Sequence, residues 1–195
     1  VILEWSDKFD THIDIVDTQH KKLCDLLNKI ASCFDTGSPS EEVVEQTLKE
    51  LLDYANQHFT DEEAMMQAGH IDERHFKVHH MEHNSFMYDL SRLQLHNNAD
   101  EDEVQTAQKV VRFITSWLVY HILGVDQVMA AQLDAIQKGI APAQAFEKLQ
   151  TIPRDAQTTQ LILNAVLDLW RGTTDHCRIV EQQLADALFA LESLK

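Results

Sequence analysis

A chain of 195 residues can hold one well-buried core plus an appendage, or two small domains. Its 5 glycines and 3 prolines are too few for a strand-rich fold with many tight turns, so long helices are expected. A formal charge of −16 repels nucleic acid and anionic lipid, and no run of about 18 apolar residues offers a membrane span.

No signal peptide is visible. Cys24, Cys33 and Cys177 are odd in number and form no C-x-x-C. Disulfides and thiolate zinc are therefore not expected, and a cytoplasmic location is.

Along the chain, residues 1–15 form an arm anchored by Trp5, Phe9, Ile13 and Ile15. A first helix is expected over 18–34, where Leu23, Leu26, Leu27 and Ile30 recur at helical spacing. After a loop at 35–40, Ser38-Pro39-Ser40-Glu41 reads as a capping box with proline at the first helical position. The second helix carries Val44, Leu48, Leu51, Leu52, Ala55, Phe59 and Met66 to about Gln67, with Gly69 as its stop. A third runs from Asp72 to about His96. After the polar turn Asn97–Glu101, a fourth starts near Asp102 and passes Trp117 and His121, with Gly124 as a weak point. Four long helices on short polar loops predict an all-α, up-down-up-down four-helix bundle over 1–136.

The rest of the chain differs in character. Residues 1–136 hold 25 of the 32 acids and 10 of the 16 bases, so 137–195 are nearly neutral. Gly139, Pro142 and Pro153 mark the change. Beyond them Leu163, Val166, Trp170, Thr173, Cys177, Val180, Leu184, Ala187, Leu191 and Leu194 alternate spacings of three and four, the pattern of a coiled-coil seam. Two readings stay open for this segment: a coiled coil pairing two chains, or a hairpin folded back on the bundle.

Histidine is the unusual residue, with 11 copies. Residues four apart on a helix share a face, and two such pairs stand out. They are His58 with Glu62, and His79 with His83. The fourth helix adds His121 and Asp126. Five residues turn a straight helix by roughly 140° past the starting face, so Asp126 needs a distorted turn, which Gly124 makes cheaper. The first helix adds His20. Any one of these alone occurs often by chance. Together, four helices each supply imidazole or carboxylate of the kind that iron and similar metals accept. His12, His70, His75, His80, His96 and His176 fit no such arrangement and are expected to be solvated or structural.

With these motifs the chain resembles the bacteriohemerythrin family. They are WSDKF at 5–9, VDTQH at 16–20, HFTDEE at 58–63, HHMEHNSF at 79–86 and WLVYHILGVD at 117–126. The stretch after Glu62 is slightly long, and His70-Ile71 stands where the family usually has Tyr-Pro. That raises a competing register, His75/His79, but Phe86 follows His83 at the family's spacing.

The resemblance implies two non-haem iron ions with an oxo or hydroxo bridge, and dioxygen as their ligand. Glu62 and Asp126 would bridge the irons. His79, His83 and His121 would complete one iron, while His20 and His58 hold the other and leave it an open position. Trp117 and Leu118 would line the dioxygen pocket, where an apolar wall keeps out the water and protons that oxidise such a site. Ferritin-like diiron oxidases use Glu-x-x-His pairs, and the chain contains none. A mononuclear zinc hydrolase needs three ligands and leaves several of these histidines unexplained.

Residues 124–146 resemble the connector of family members that continue into a diguanylate cyclase. The preferred expectation is a dioxygen or redox sensor domain in cyclic di-GMP signal transduction. It would have no catalytic activity of its own, would pair as a homodimer through the C-terminal helices, and would act on an output domain further along. The alternative is an oxygen carrier or store.

Overall fold

The apolar residues of four helices fall into one stripe per helix, and these stripes set the packing. The computed structural model describes residues 2–35, 41–95 and 103–192. A 3-10 turn (Asp7–Phe9) leads into α1 (Asp14–Asp35), α2 (Glu41–Ala68), α3 (Glu73–Leu95) and α4 (Glu103–His121). A π turn (Ile122–Asp126) joins α4 to α5 (Gln127–Gln137), and α6 (Pro142–Lys148) and α7 (Ala156–Glu192) follow. Among the described residues there is no strand, and no helix is long and apolar enough to cross a membrane. The protein is an all-α, hemerythrin-like bundle with extra C-terminal helices. The loop at 36–40 with its capping box, and the turn at 96–102, lie outside the described residues.

α1 and α3 each pack against both α2 and α4. Val16, Leu23, Leu27 and Ile30 line the buried face of α1, and His20 lies in the same stripe. On α2 the stripe runs Val44, Leu51, Ala55, then His58 and Glu62. On α3 it runs His79, His83, then Phe86 and Leu90, and on α4 Val110, Ile114, Trp117, then His121. Because neighbouring helices alternate in direction, all the polar members reach the same end of the bundle.

Two helix ends differ from expectation. α1 begins at Asp14, four residues early, because the Asp17 carboxylate organises the approach. It accepts from the Thr11 amide (2.8 Å), the Thr11 hydroxyl (2.7 Å) and the His12 amide (3.1 Å). At the end of α2 the left-handed residue is His70 (φ 54°), one place after the expected Gly69. The His70 amide donates to the Gln67 carbonyl, and the Ile71 amide to the Met66 carbonyl, the paired bonds of a Schellman motif. Ile71 and Met66 pack together beneath it. Gly69 matters for a different reason. A Cβ there would lie 2.5 Å from Leu133 Cδ2 on α5.

The composition shift after residue 136 is not a break in packing. α7 folds back along α4, burying Ala165 and setting Leu161, Ile162 and Leu169 against the bundle core. The expected seam lies about a quarter turn further round the helix. Leu163, Val166, Trp170, Val180 and Leu184 are exposed, Trp170 by 63%. The helix therefore has two apolar arcs, one covered by its own bundle. The side chains of His176, Ala187 and Leu191, and all of Leu194, lie outside the described residues.

The termini of the bundle are also tied together. Gln127 Nε2 donates to the Lys8 (2.7 Å) and Asp10 (3.2 Å) carbonyls, and Lys8 Nζ reaches Gln157 Oε1 at the start of α7.

Candidate metal centre

At the polar end, all seven side chains singled out in the sequence meet. His20, His58, Glu62, His79, His83, His121 and Asp126 are each 2% exposed or less. They form two overlapping groups, in each of which the ligand atoms lie within 4.8 Å of one another. One is Glu62, His79, His83 and His121; the other is His20, His58, Glu62 and Asp126.

Asp126 faces both groups. Its Oδ2 is 3.2 Å from His20 Nε2, while its Oδ1 is 3.2 Å from His79 Nε2 and 3.1 Å from His121 Nε2. Glu62 also faces both groups. Its Oε1 lies 4.0 Å from His20 Nε2, and its Oε2 lies 3.6, 3.5 and 3.4 Å from Nε2 of His58, His79 and His83.

The turn that sequence spacing demands for Asp126 is present as the π turn. There the Gln127 amide bonds the Ile122 carbonyl five residues back, in place of the four of an α-helix. The widened turn brings Asp126 round to the His121 face. Gly124 is not forced sterically, since a Cβ there would meet the Tyr120 ring at an ordinary 3.6 Å.

The outer nitrogens explain why the inner ones point inward. His58 Nδ1 donates to Gln19 Oε1 (2.9 Å), and Gln19 in turn donates to Asp61 (2.7 Å). His83 Nδ1 donates to Glu63 Oε1 (2.9 Å). A proton held on Nδ1 leaves the Nε2 lone pair free for a cation. His79 Nδ1 faces His75 Nε2 at 3.4 Å. His75 is therefore buried one turn outside the cluster, where the competing His75/His79 register would have made it a ligand. Aromatic rings also hold two of the imidazoles. Phe59 stacks on His83 (centroids 4.0 Å, 13°) and Trp117 on His121 (4.1 Å, 15°). Leu118, the other expected pocket residue, is buried in the core beside Trp117.

Gln19, Glu63, His75 and Phe59 were not singled out by the sequence as part of the site. Gln19 adjoins His20, and Glu63 adjoins Glu62. Adjacency to a ligand is the one signal that could have marked these two. The remaining expected bystanders, His12, His70 and His80, are exposed, and His80 Nδ1 shares Glu63 with His83.

The electrostatics suit a cation. Burial alone would neutralise Asp126, but His121, His20 and His79 hold its carboxyl well below the usual range. Glu62 is also held low, against burial and Asp126, by His58, His79 and His83. Burial pushes His58 and His121 down to about 4. It opposes protonation of His79 as well, yet Asp126 and Glu62 raise that ring to about 9. His20 is raised in the same way, burial being outweighed by Asp126 and Glu62.

The donor set passes a further test. Both oxygens of Glu62, both of Asp126 and His79 Nε2 are buried and make no well-directed hydrogen bond, although imidazole nitrogens stand 3.1 to 4.0 Å from the carboxylate oxygens. Two ionised carboxylates buried side by side without well-directed hydrogen bonds are costly, and converging metal ions account for them. The His20–His58 and His83–His121 Nε2 separations, 3.1 and 3.2 Å, match two nitrogens each about 2.1 Å from one ion at roughly right angles.

A helical bundle with imidazoles and carboxylates buried at one end defines a metal-binding bundle protein. The chain belongs to the hemerythrin family, since residues 11–133 match the family described as hemerythrin HHE cation binding domain. It is 35% identical to a bacteriohemerythrin of Methylococcus capsulatus, over 69% of this chain and 98% of that protein. It is 29% identical to a bacteriohemerythrin of Stenotrophomonas maltophilia, over 69% of this chain and 83% of the relative. A bacteriohemerythrin of Clostridium acetobutylicum is 27% identical, over 63% of this chain and 95% of its own length. No solved structure matches the chain.

Proposed function

We propose that the chain is a non-haem diiron domain that binds dioxygen and reports oxygen or redox state through its C-terminal helices. The observation that carries the metal centre is the convergence of five imidazoles and two buried carboxylates on one point. His79, His83 and His121 would hold one iron, His20 and His58 the other, and Glu62 and Asp126 would span both. When bound, the iron pair supplies the electrons for reversible dioxygen binding. The protein's own part is to orient the imidazoles through Gln19, Glu63 and His75, and to exclude water. Trp117 and Leu118 would wall the dioxygen pocket.

The test is anaerobic iron loading, metal counting, and optical spectra on exposure to air and back. Two irons per chain and a reversible spectral change are expected. Fewer than two irons, or a purely irreversible change, would overturn the reading. No catalytic turnover is expected of this chain.

The sensor role, as against a carrier or store, is supported by continuity. Asp126 leads straight into α5, and α7 lies along α4. Signalling requires that dioxygen bind two conformations unequally. Hydrogen exchange over 127–192 in the diferrous, oxygenated and diferric forms should differ; identical protection would favour the carrier. The output domain envisaged is a diguanylate cyclase.

The exposed arc of α7 favours a homodimer. It is uncharged from Leu163 to Val180 and belongs to the nearly neutral part of a chain of charge −16, so two copies repel least there. In a parallel pair, Cys177 of each chain would sit at the seam within disulfide reach. Mild oxidation should then cross-link two chains through this exposed cysteine. A monomer by light scattering, with no cross-link, would end this reading.

A further inference from the structure

The π turn deprives one carbonyl of its α-helical donor. In an unbroken α-helix the Leu123 carbonyl would accept from the Gln127 amide, four residues on. That amide is taken by the Ile122 carbonyl. Leu123 is fully buried, so its carbonyl has no solvent to turn to.

A side chain from 31 residues further along meets the need. Arg154, in the turn between α6 and α7, donates Nε–H to the Leu123 carbonyl at 3.0 Å and brings Nη2–H to the same oxygen. Its Nη1 is held at the Ile152 carbonyl, 3.2 Å away, so the guanidinium is fixed at both sides. Arg154 is half-buried, and two of its five donors are directed at one backbone oxygen inside the helix ladder. That oxygen lies between His121 and Asp126, in the very turn that brings the two side chains together.

We propose that Arg154 is a positioning residue of the metal centre. By capping the Leu123 carbonyl it holds the π turn in the form that presents His121 and Asp126 to the same ion. Arg154 lies outside residues 11–133, which match the family, so this control is supplied by the C-terminal segment. By the reciprocity of coupled equilibria, whatever draws Arg154 off the Leu123 carbonyl alters metal affinity, and metal binding alters the hold on Arg154. The proposal rests on the metal-centre reading.

The experiment uses the full chain, cobalt(II) as a spectroscopic probe, and the variants Arg154→Met, Arg154→Lys and Leu161→Ala. Arg154→Met should weaken cobalt binding about 10-fold or more, the usual effect of losing a group that orients a ligand. It should also change the visible cobalt spectrum and speed amide exchange over 122–128. Arg154→Lys keeps a donor and should recover much of the loss. Leu161→Ala loosens α7 packing without touching the turn, and should lower the melting temperature with cobalt affinity unchanged. If Arg154→Met lowers the metal-free and cobalt-loaded melting temperatures equally, with affinity and spectrum as in the wild type, Arg154 only fastens the tail and the proposal is overturned. A wild-type chain that binds no cobalt would sink the metal-centre reading instead. In that case exchange over 122–128 in metal-free Arg154→Met still decides the hold on the turn, and unchanged exchange would refute it.

Discussion

At one end of the bundle Leu27, Ile30, Leu51, Leu90 and Ile114 are buried, each contributing about 1.5–3 kcal/mol through apolar surface removed from water. At the other end the same four stripes bury five imidazoles and two carboxylates, which cost free energy unless something charged and positive is held between them. The stripe decides that a residue is inside, and its chemistry decides whether being inside stabilises the fold or loads it for binding. A helix can therefore carry a ligand wherever its core face passes the right level, with no change in the rule that packs it.

The largest effect that would break this contrast comes from Asp126→Ala, which removes the carboxylate nearest His20, His79 and His121. Bound metal should fall from two ions per chain to one or none by elemental analysis. Retention of two ions would remove Asp126 from the ligand set. At the dry end, Ile114→Ala should cost about 2–5 kcal/mol in chemical denaturation. The loss should be equal with and without metal, and the metal count should not change. A change in count would show that the two ends are not separable.

Glu63→Ala sharpens the comparison from just outside the polar end. It removes the acceptor of His83 Nδ1 and should weaken metal binding by about 10–100-fold in a competition with a chelator. An unaltered affinity would mean that packing against Phe59 suffices to orient His83. The smallest effect expected is that of Gly69→Ala. Its new methyl meets Leu133 Cδ2, and because that side chain can rotate away the loss should lie near about 1 kcal/mol. Thermal melting would detect it, and a stabilised variant would contradict the close approach of α2 to α5.

Much of this was legible in the sequence because helical geometry maps spacing onto direction. His58 with Glu62, and His79 with His83, lie one turn apart, and their neighbours at the same period are apolar. Asp126 was legible in a different way, since its offset from His121 required a break in regular geometry. What the sequence hid depends on tertiary placement. Nothing local distinguishes Glu63 from the acids around it, or His75 from the histidines around it. Gly69 drew attention away from His70, which takes the left-handed position. On α7 both arcs are apolar, so periodicity could not tell which one covers the bundle. Arg154 hid most completely, because its acceptor is a backbone oxygen whose need arises only once the turn has widened.

That widened turn also has a meaning in the arithmetic of chain length. A residue four places after His121 would already face the same way in a regular helix; this chain reaches Asp126 in five. Deleting Gly124 would therefore let α4 run on unbroken, with the acid still beside His121 and α5 still in phase behind it. What would vanish is the five-residue bond, and with it the guanidinium's berth. The single surplus residue is what opens the interior of α4 to the distant part of the chain.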